Sequence, residues 1–184
     1  MRLYRQTVED FAIYPGKELE EEEISRLRIA AGEMSAKMRA VRIVSASNVS
    51  KADLRQRLIQ KGEDPAQAAG AVAWMEELKL VDDRETAAQV VSRCIARGYG
   101  LARAKQALYE KRIPKQYWEE ALSDYPDQLD KIVSFLRTRL DSESDQKQVK
   151  KAIDALLRRG HSYSKIREGL NIISLDSDEF TEDF

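Results

Sequence analysis

Residue types that most often carry chemistry are scarce in this 184-residue chain, which has one histidine, His161, and one cysteine, Cys94. A zinc site of the usual kind takes three or four such ligands, so one chain cannot build it. No phosphate-cradling glycine loop, dinucleotide fingerprint or nucleophile elbow occurs. His161 falls in a turn, which predicts a surface or half-buried position rather than catalysis. Cys94 lies on an apolar helical face, which predicts a small buried hydrophobe. Carboxylates abound, but nothing singles one out for acid–base work. The expectation is no enzyme, no cofactor and no metal.

Basic residues are the side chains whose placement is patterned. Net charge is only −1, which argues against strong nonspecific nucleic-acid binding. Its distribution says more. Residues 26–62 carry a net +7, residues 93–118 a net +6 and residues 147–168 a net +5. The stretches 63–92 and 119–130 each carry −5. A solvated face with mixed charges explains any one block. Three in register suggest a track for an acidic partner. The candidate binding residues are Lys51, Arg55, Arg57 and Lys61 in the first block. The second supplies Arg97, Arg103, Lys105 and Lys111, and the third Arg158, Arg159, Lys165 and Arg167.

The elements that must position these cations read as helices. Charged residues make up 34% of the chain, with four prolines and eight glycines, and the long stretches are rich in helix formers. No apolar run is long enough for a transmembrane helix, and the first residues lead into no signal core. Glu18 to Glu23 opens a helix with acid at its positive end. A further helical run covers about Met34 to Ala46. Ser50 caps the next helix, with Leu54 and Leu58 inward. Gly62 closes it, and Asp64-Pro65 opens another, with Ala68, Ala71, Val72, Met75 and Leu78 as its buried stripe. Asp82 or Asp83 starts a helix carrying Ala87, Val90, Val91, Cys94 and Ile95. Ala104 and Leu108 follow, then Trp118, Ala121 and Leu122. Pro126 opens a helix with Ile132, Val133 and Leu136, and Val149, Ile153, Leu156 and Leu157 mark another. Ile166 and Leu170 begin the last. Trp74, Tyr117, Trp118 and Phe135 have core spacing, with base stacking as the less expected role.

These elements repeat. Shifting the numbering by 50 and then 62 superposes the turns Ser47–Ser50, Arg97–Gly100 and Arg159–Ser162. Leu54 then falls on Ala104 and Ile166, Leu58 on Leu108 and Leu170, and Arg55 on Lys105 and Arg167. The fold expected is all-α, with tandem three-helix (helix-turn-helix-like) repeats forming an elongated, curved array. The expected segments are 1–33 with the acidic helix start, 34–81 and 82–125 as repeats, 126–172 as a linking helix plus a third repeat, and 173–184 as an acidic flexible tail. That tail, Asp178-Glu179-Phe180-Thr181-Glu182-Asp183-Phe184, mixes acid and Phe and reads as a disordered end, with a peptide for a basic pocket as the less expected role.

The chain resembles the RecX regulatory family. The resemblance rests on Ala52-Asp53-Leu54-Arg55-Gln56-Arg57-Leu58 through Gly62, on Leu78 to Asp83 leading to Ala87, on Arg97-Gly98-Tyr99-Gly100 with Leu108 and Lys111, and on Leu156-Leu157-Arg158-Arg159-Gly160. It covers about residues 12–170. Three departures stand out: Arg112 where the family often has glycine, His161 where Phe is common, and the extra acidic tail. The resemblance implies a non-enzymatic, cytoplasmic, monomeric modulator that binds the RecA filament and inhibits its extension, ATPase and strand exchange, in DNA repair, recombination and the SOS response. DNA, bound weakly alone, is the second partner it implies, with no membrane. The residues themselves leave two other readings open. One is a stand-alone helical DNA-binding protein, with a steep salt dependence; the other is a hydrolase resting only on abundant carboxylates.

Overall fold

The computed structural model describes residues 3–141 and 144–175, and among these every regular element is helical. In chain order they are α1 (Arg5–Asp10), α2 (Glu21–Ala46), α3 (Lys51–Gln60), α4 (Pro65–Glu77), α5 (Asp83–Ala96), α6 (Leu101–Glu110), a 3-10 turn (Lys115–Tyr117), α7 (Trp118–Leu122), α8 (Leu129–Arg137), α9 (Gln146–Arg158) and α10 (Tyr163–Leu175). The chain divides into two compact units, one up to Thr86 and one from Ala87, so the division falls within α5.

Local chemistry explains where the helices start. Ser50 Oγ accepts the Asp53 amide at 3.0 Å, and Asp64 Oδ1 accepts those of Ala66 and Gln67. Asp82 Oδ1 does the same for Arg84 at 2.7 Å and Glu85 at 3.2 Å. Asp145 and Gln148 form a reciprocal box at the start of α9, both bonds 2.7 Å. Each cap satisfies amides that the first turn leaves without an intrahelical partner.

The ends follow one rule. Six helices, α1, α3, α4, α5, α6 and α9, close on a residue with positive φ: Ala12, Gly62, Lys79, Gly98, Arg112 and Gly160. In each, the next amide reaches back to a carbonyl near the helix end, as in Glu63 to Leu58, Tyr99 to Cys94, Ile113 to Leu108 and His161 to Leu156. This is the Schellman closure, which satisfies end carbonyls and pairs the residues at the two ends of that bond. Leu58, Met75, Cys94, Leu108 and Leu156 are all buried acceptors of this kind.

Three cores result. The first joins Ala36, Ala40 and Ile43 of α2 to Leu54, Leu58, Ala68, Ala71, Val72 and Met75. The second gathers Ala87, Val90, Val91, Leu108 and Ile113, with Trp118 and Leu122 against them. The third holds Ile132, Leu136, Ala152, Leu156 and Ile166. The aligned repeat positions Leu54, Ala104 and Ile166 are all fully buried, as are Leu58 and Leu108. Burial of a leucine side chain contributes roughly 1.5–3 kcal/mol.

Within the second unit, equivalent turns of two repeats dock backbone to backbone. The Gly100 amide donates to the Arg159 carbonyl at 2.9 Å, and the Ala102 amide to that of Gly160 at 3.3 Å. A Cβ on Gly100 would overlap the Gly160 carbonyl, and one on Gly160 would overlap the Arg103 backbone. The glycines here serve close approach as well as turning.

Several expectations differ from the structure. The helix expected at Glu18 starts at Glu21, and it is continuous with the run from Met34 through to Ala46. Gly32 does not break it, because ordinary helical φ suits glycine at modest cost. Helix α8 starts not at Pro126 but at Leu129, whose amide is held by Asp127 Oδ1 at 3.0 Å. Leu78 is 49% and Leu157 is 42% exposed. Leu78 caps the end of α4, and Leu157 lies a helical step beyond the Ala152–Leu156 stripe. Helix α10 runs to Leu175. The rest of the expected tail, 176–184, and residues 142–143 of the expected loop lie outside the described residues.

The two kinds of left-handed residue predict opposite responses. Arg112→Gly removes a side chain from φ +55° and is expected to stabilise by about 0.5–1 kcal/mol. Gly160→Ala, at φ +86° and against the Arg103 backbone, is expected to cost more than about 2 kcal/mol. Thermal melts of the two variants beside the parent check both signs.

Candidate nucleic-acid and protein interface

The twelve candidate cations divide into committed and uncommitted side chains. Lys51 Nζ is 2.8 Å from Glu76, and Arg57 is 2.9 Å from Asp53. Arg103 is 2.9 Å from Glu110; this hydrogen bond holds the Glu110 carboxyl below its ordinary pKa and the Arg103 guanidinium above its own. Lys165 reaches Asp127 at 2.6 Å and Glu168 at 2.9 Å, which raises its pKa and lowers that of Asp127. The Arg159 guanidinium lies over the Phe135 ring at 4.7 Å, with Arg139 at 4.5 Å. Exposed ion pairs of this kind add little stability but do fix where a charge points.

Arg55, Lys105 and Arg167 are different. Each is exposed, and each is the fifth residue after the one that precedes its helix: Ser50, Gly100 and Ser162. None makes an ion pair among the described residues. Their neighbours one position earlier, Leu54, Ala104 and Ile166, point into the cores, so the cations must face outward. Lys61 and Arg97 follow the ends of α3 and α5, Lys111 that of α6, and Arg158 closes α9. Arg55 belongs to the first unit, Lys105 and Arg167 to the second.

Around the docked turns the electrostatics are specific. His161 is 7% exposed, not surface or half-buried as its turn position suggested. Its Nε2 lies 3.0 Å from the Gly98 carbonyl. Burial lowers its pKa below the ordinary 6.5, the Gly98 carbonyl opposes that, and Arg159 adds to it. Cys94 is buried, as expected, and desolvation raises its thiol pKa against the pull of Arg103 and Arg97. Tyr125 donates to the Tyr99 carbonyl at 2.6 Å, and burial pushes its phenol up to about 12.

Some determinants gave no sequence signal. Asp83 accepts the Lys51 amide at 2.8 Å, tying the start of α3 to the start of α5; desolvation raises its carboxyl pKa against that bond. Glu63 is buried with Arg39 at 2.7 Å and Ser35 at 3.0 Å. Both partners are distant in sequence, so spacing alone cannot expose them. Among the described residues no group of three or more His, Cys, Asp or Glu is placed to hold a metal. None of their helices is long and apolar enough to cross a membrane.

Comparison with known proteins bears on the fold and the family. A family model described as the second three-helix domain of RecX matches residues 82–122. The regulatory protein RecX of Chlorobaculum tepidum is 33% identical over 144 residues, 76% of this chain and 88% of that protein. The chain belongs to the RecX family. A second RecX relative, from Vibrio parahaemolyticus, is 27% identical over 75% of this chain and 91% of its own length. The fold matches a crystal structure of regulatory protein RecX with a TM-score of 0.67, at 20% identity over 90% of this chain and 86% of that one. RecX from Lactobacillus salivarius gives 0.68, also at 20% identity, over 79% of this chain and 99% of that one.

His161 makes stability depend on pH. The unfolded imidazole titrates near 6.5 and the folded one lower, so between these values the unfolded chain holds more protons. The contribution is therefore whole above pH 6.5 and is lost as pH falls through the folded value. Melting temperatures from pH 5 to pH 8 are expected to fall on the acid side, and His161→Phe is expected to flatten that part of the profile.

Proposed function

We propose that this chain binds the RecA nucleoprotein filament and inhibits its extension, ATPase and strand exchange, acting without catalysis of its own. Membership of the RecX family supports a regulatory role. The observation that carries the reading is the equivalence of Arg55, Lys105 and Arg167: exposed, without an ion pair among the described residues, and at one position of three successive second helices. An uncommitted cation loses no internal bond when it meets a phosphate or a carboxylate. The committed set, Lys51, Arg57, Arg103 and Lys165, would need to exchange partners first. The segments 34–81, 82–125 and 126–172 are proposed as the repeats, and the reading places the protein in the cytoplasm as a monomer with DNA as a second, weaker partner.

RecA ATPase on single-stranded DNA, titrated with this protein at well below one molecule per RecA, tests the reading. The rate is expected to fall, because one bound molecule must silence many subunits. The combined change Arg55→Glu, Lys105→Glu and Arg167→Glu is expected to abolish inhibition with the circular-dichroism helix signal unchanged. An unaltered ATPase rate with folded parent protein would overturn the proposal. Tight, salt-sensitive DNA binding in the same preparation would then favour a stand-alone DNA-binding protein.

A further inference from the structure

The second unit carries an open groove of about 470 Å³ between α6 and α7, lined by Leu101, Lys105, Lys115, Trp118, Glu119 and Leu122. Its floor is apolar and aromatic, and two of its three charged residues are lysines. Neither lysine makes an ion pair among the described residues. The Trp118 indole N–H is already spent on the Ile113 carbonyl at 2.9 Å. What Trp118 offers the groove is therefore its ring, not a hydrogen bond. Along α6 the exposed face continues at four-residue spacing: Leu101 (42% exposed), Lys105, then Tyr109 (68% exposed). Residues three or four apart on a helix are neighbours, so Lys105 lies between an aliphatic side chain and an aromatic one.

We propose that this groove, with the α6 face that continues it, is a base-stacking track for single-stranded nucleic acid, with Trp118 stacking in the groove, Tyr109 stacking beyond it on α6, and Lys105 and Lys115 on the phosphates. Alternating aromatic rings and cations is the arrangement that holds a single strand without reading its sequence. In the groove two lysines face the single carboxylate of Glu119, and the α6 side lies in the block 93–118 with its net +6, which favours a polyanion over a neutral peptide. Paired bases in a duplex present edges rather than faces, so duplex binding gains nothing from the rings. The proposal rests on the reading of the basic second helices as filament-facing, since Lys105 belongs to both, and it adds the single strand as the ligand of this one groove.

The test uses the full chain without RecA. A labelled oligo-dT is titrated by anisotropy into the parent and into Tyr109→Ala, Tyr109→Phe and Leu101→Glu, all at exposed positions that leave the core intact. Tyr109→Ala and Leu101→Glu are each expected to weaken binding on the order of tenfold, and Tyr109→Phe to retain it. In a Trp74→Phe background Trp118 is the one tryptophan left, and oligo-dT is expected to quench its fluorescence. Unchanged affinity in both weakening variants, or an unquenched Trp118 at saturation, would overturn the proposal. So would a peptide of sequence 176–184 that binds the parent and is lost in Leu101→Glu while oligo-dT is unaffected. Because the titration omits RecA, its failure leaves the ATPase result standing, and failed inhibition leaves the oligo-dT result standing.

Discussion

Most helices of this protein are short, and six of them turn back sharply at their ends to bury one face against the next. The left-handed closing residue is what permits this. It frees the next amide to bond a carbonyl near the helix end, and it sets the residue after it against the residue that supplies that carbonyl. Leu58, Cys94, Leu108 and Leu156 anchor cores and also accept these bonds. Turn geometry and core packing are thus one interaction. The second helices α6 and α10 inherit their orientation from such turns at Gly98 and Gly160, whereas α3 follows an extended Ser47, and the orientation decides which side chains face out.

That division sorts the cations. On α3, α6 and α10 the inward positions are apolar and adjacent outward positions are basic. Some of those basic groups are then held by acids of the same unit, as Lys165 is by Asp127 and Glu168. The remainder keep their full hydrogen-bonding capacity for something else. A near-neutral protein can in this way present a strongly local charge, because screening limits each block to partners within about 8–10 Å.

Much of this was legible in the sequence. Ser50, Asp64-Pro65 and the paired apolar positions state their helices directly, and the offsets of 50 and 62 bring Leu54, Ala104 and Ile166 to the same buried position. Glycine announces a left-handed turn at Gly62, Gly98 and Gly160, whereas Ala12, Lys79 and Arg112 adopt the same conformation without announcing it. The continuity of α2 was hidden because the acidic run at Glu18 to Glu23 and the run from Met34 to Ala46 read as separate helices. The outward cations were legible as a pattern, but their commitments were not. Asp127 and Lys165, or Glu63 and Arg39, meet only because the chain has folded. The burial of His161 was hidden for the same reason: its partner, the Gly98 carbonyl, is a backbone group 63 residues away.

The backbone contact between Gly100 and Gly160 also bears on how the second unit folds. Two turns some sixty residues apart must meet before either glycine gains anything from its missing side chain. Closing so long a loop costs entropy that local helix formation does not. The repeats on either side can each assemble from neighbouring contacts on a fast timescale, while their junction depends on a distant encounter and forms late. Slow amide hydrogen exchange at Gly100 and Ala102 would then report the joined state of the unit, rather than the helicity of α6 alone.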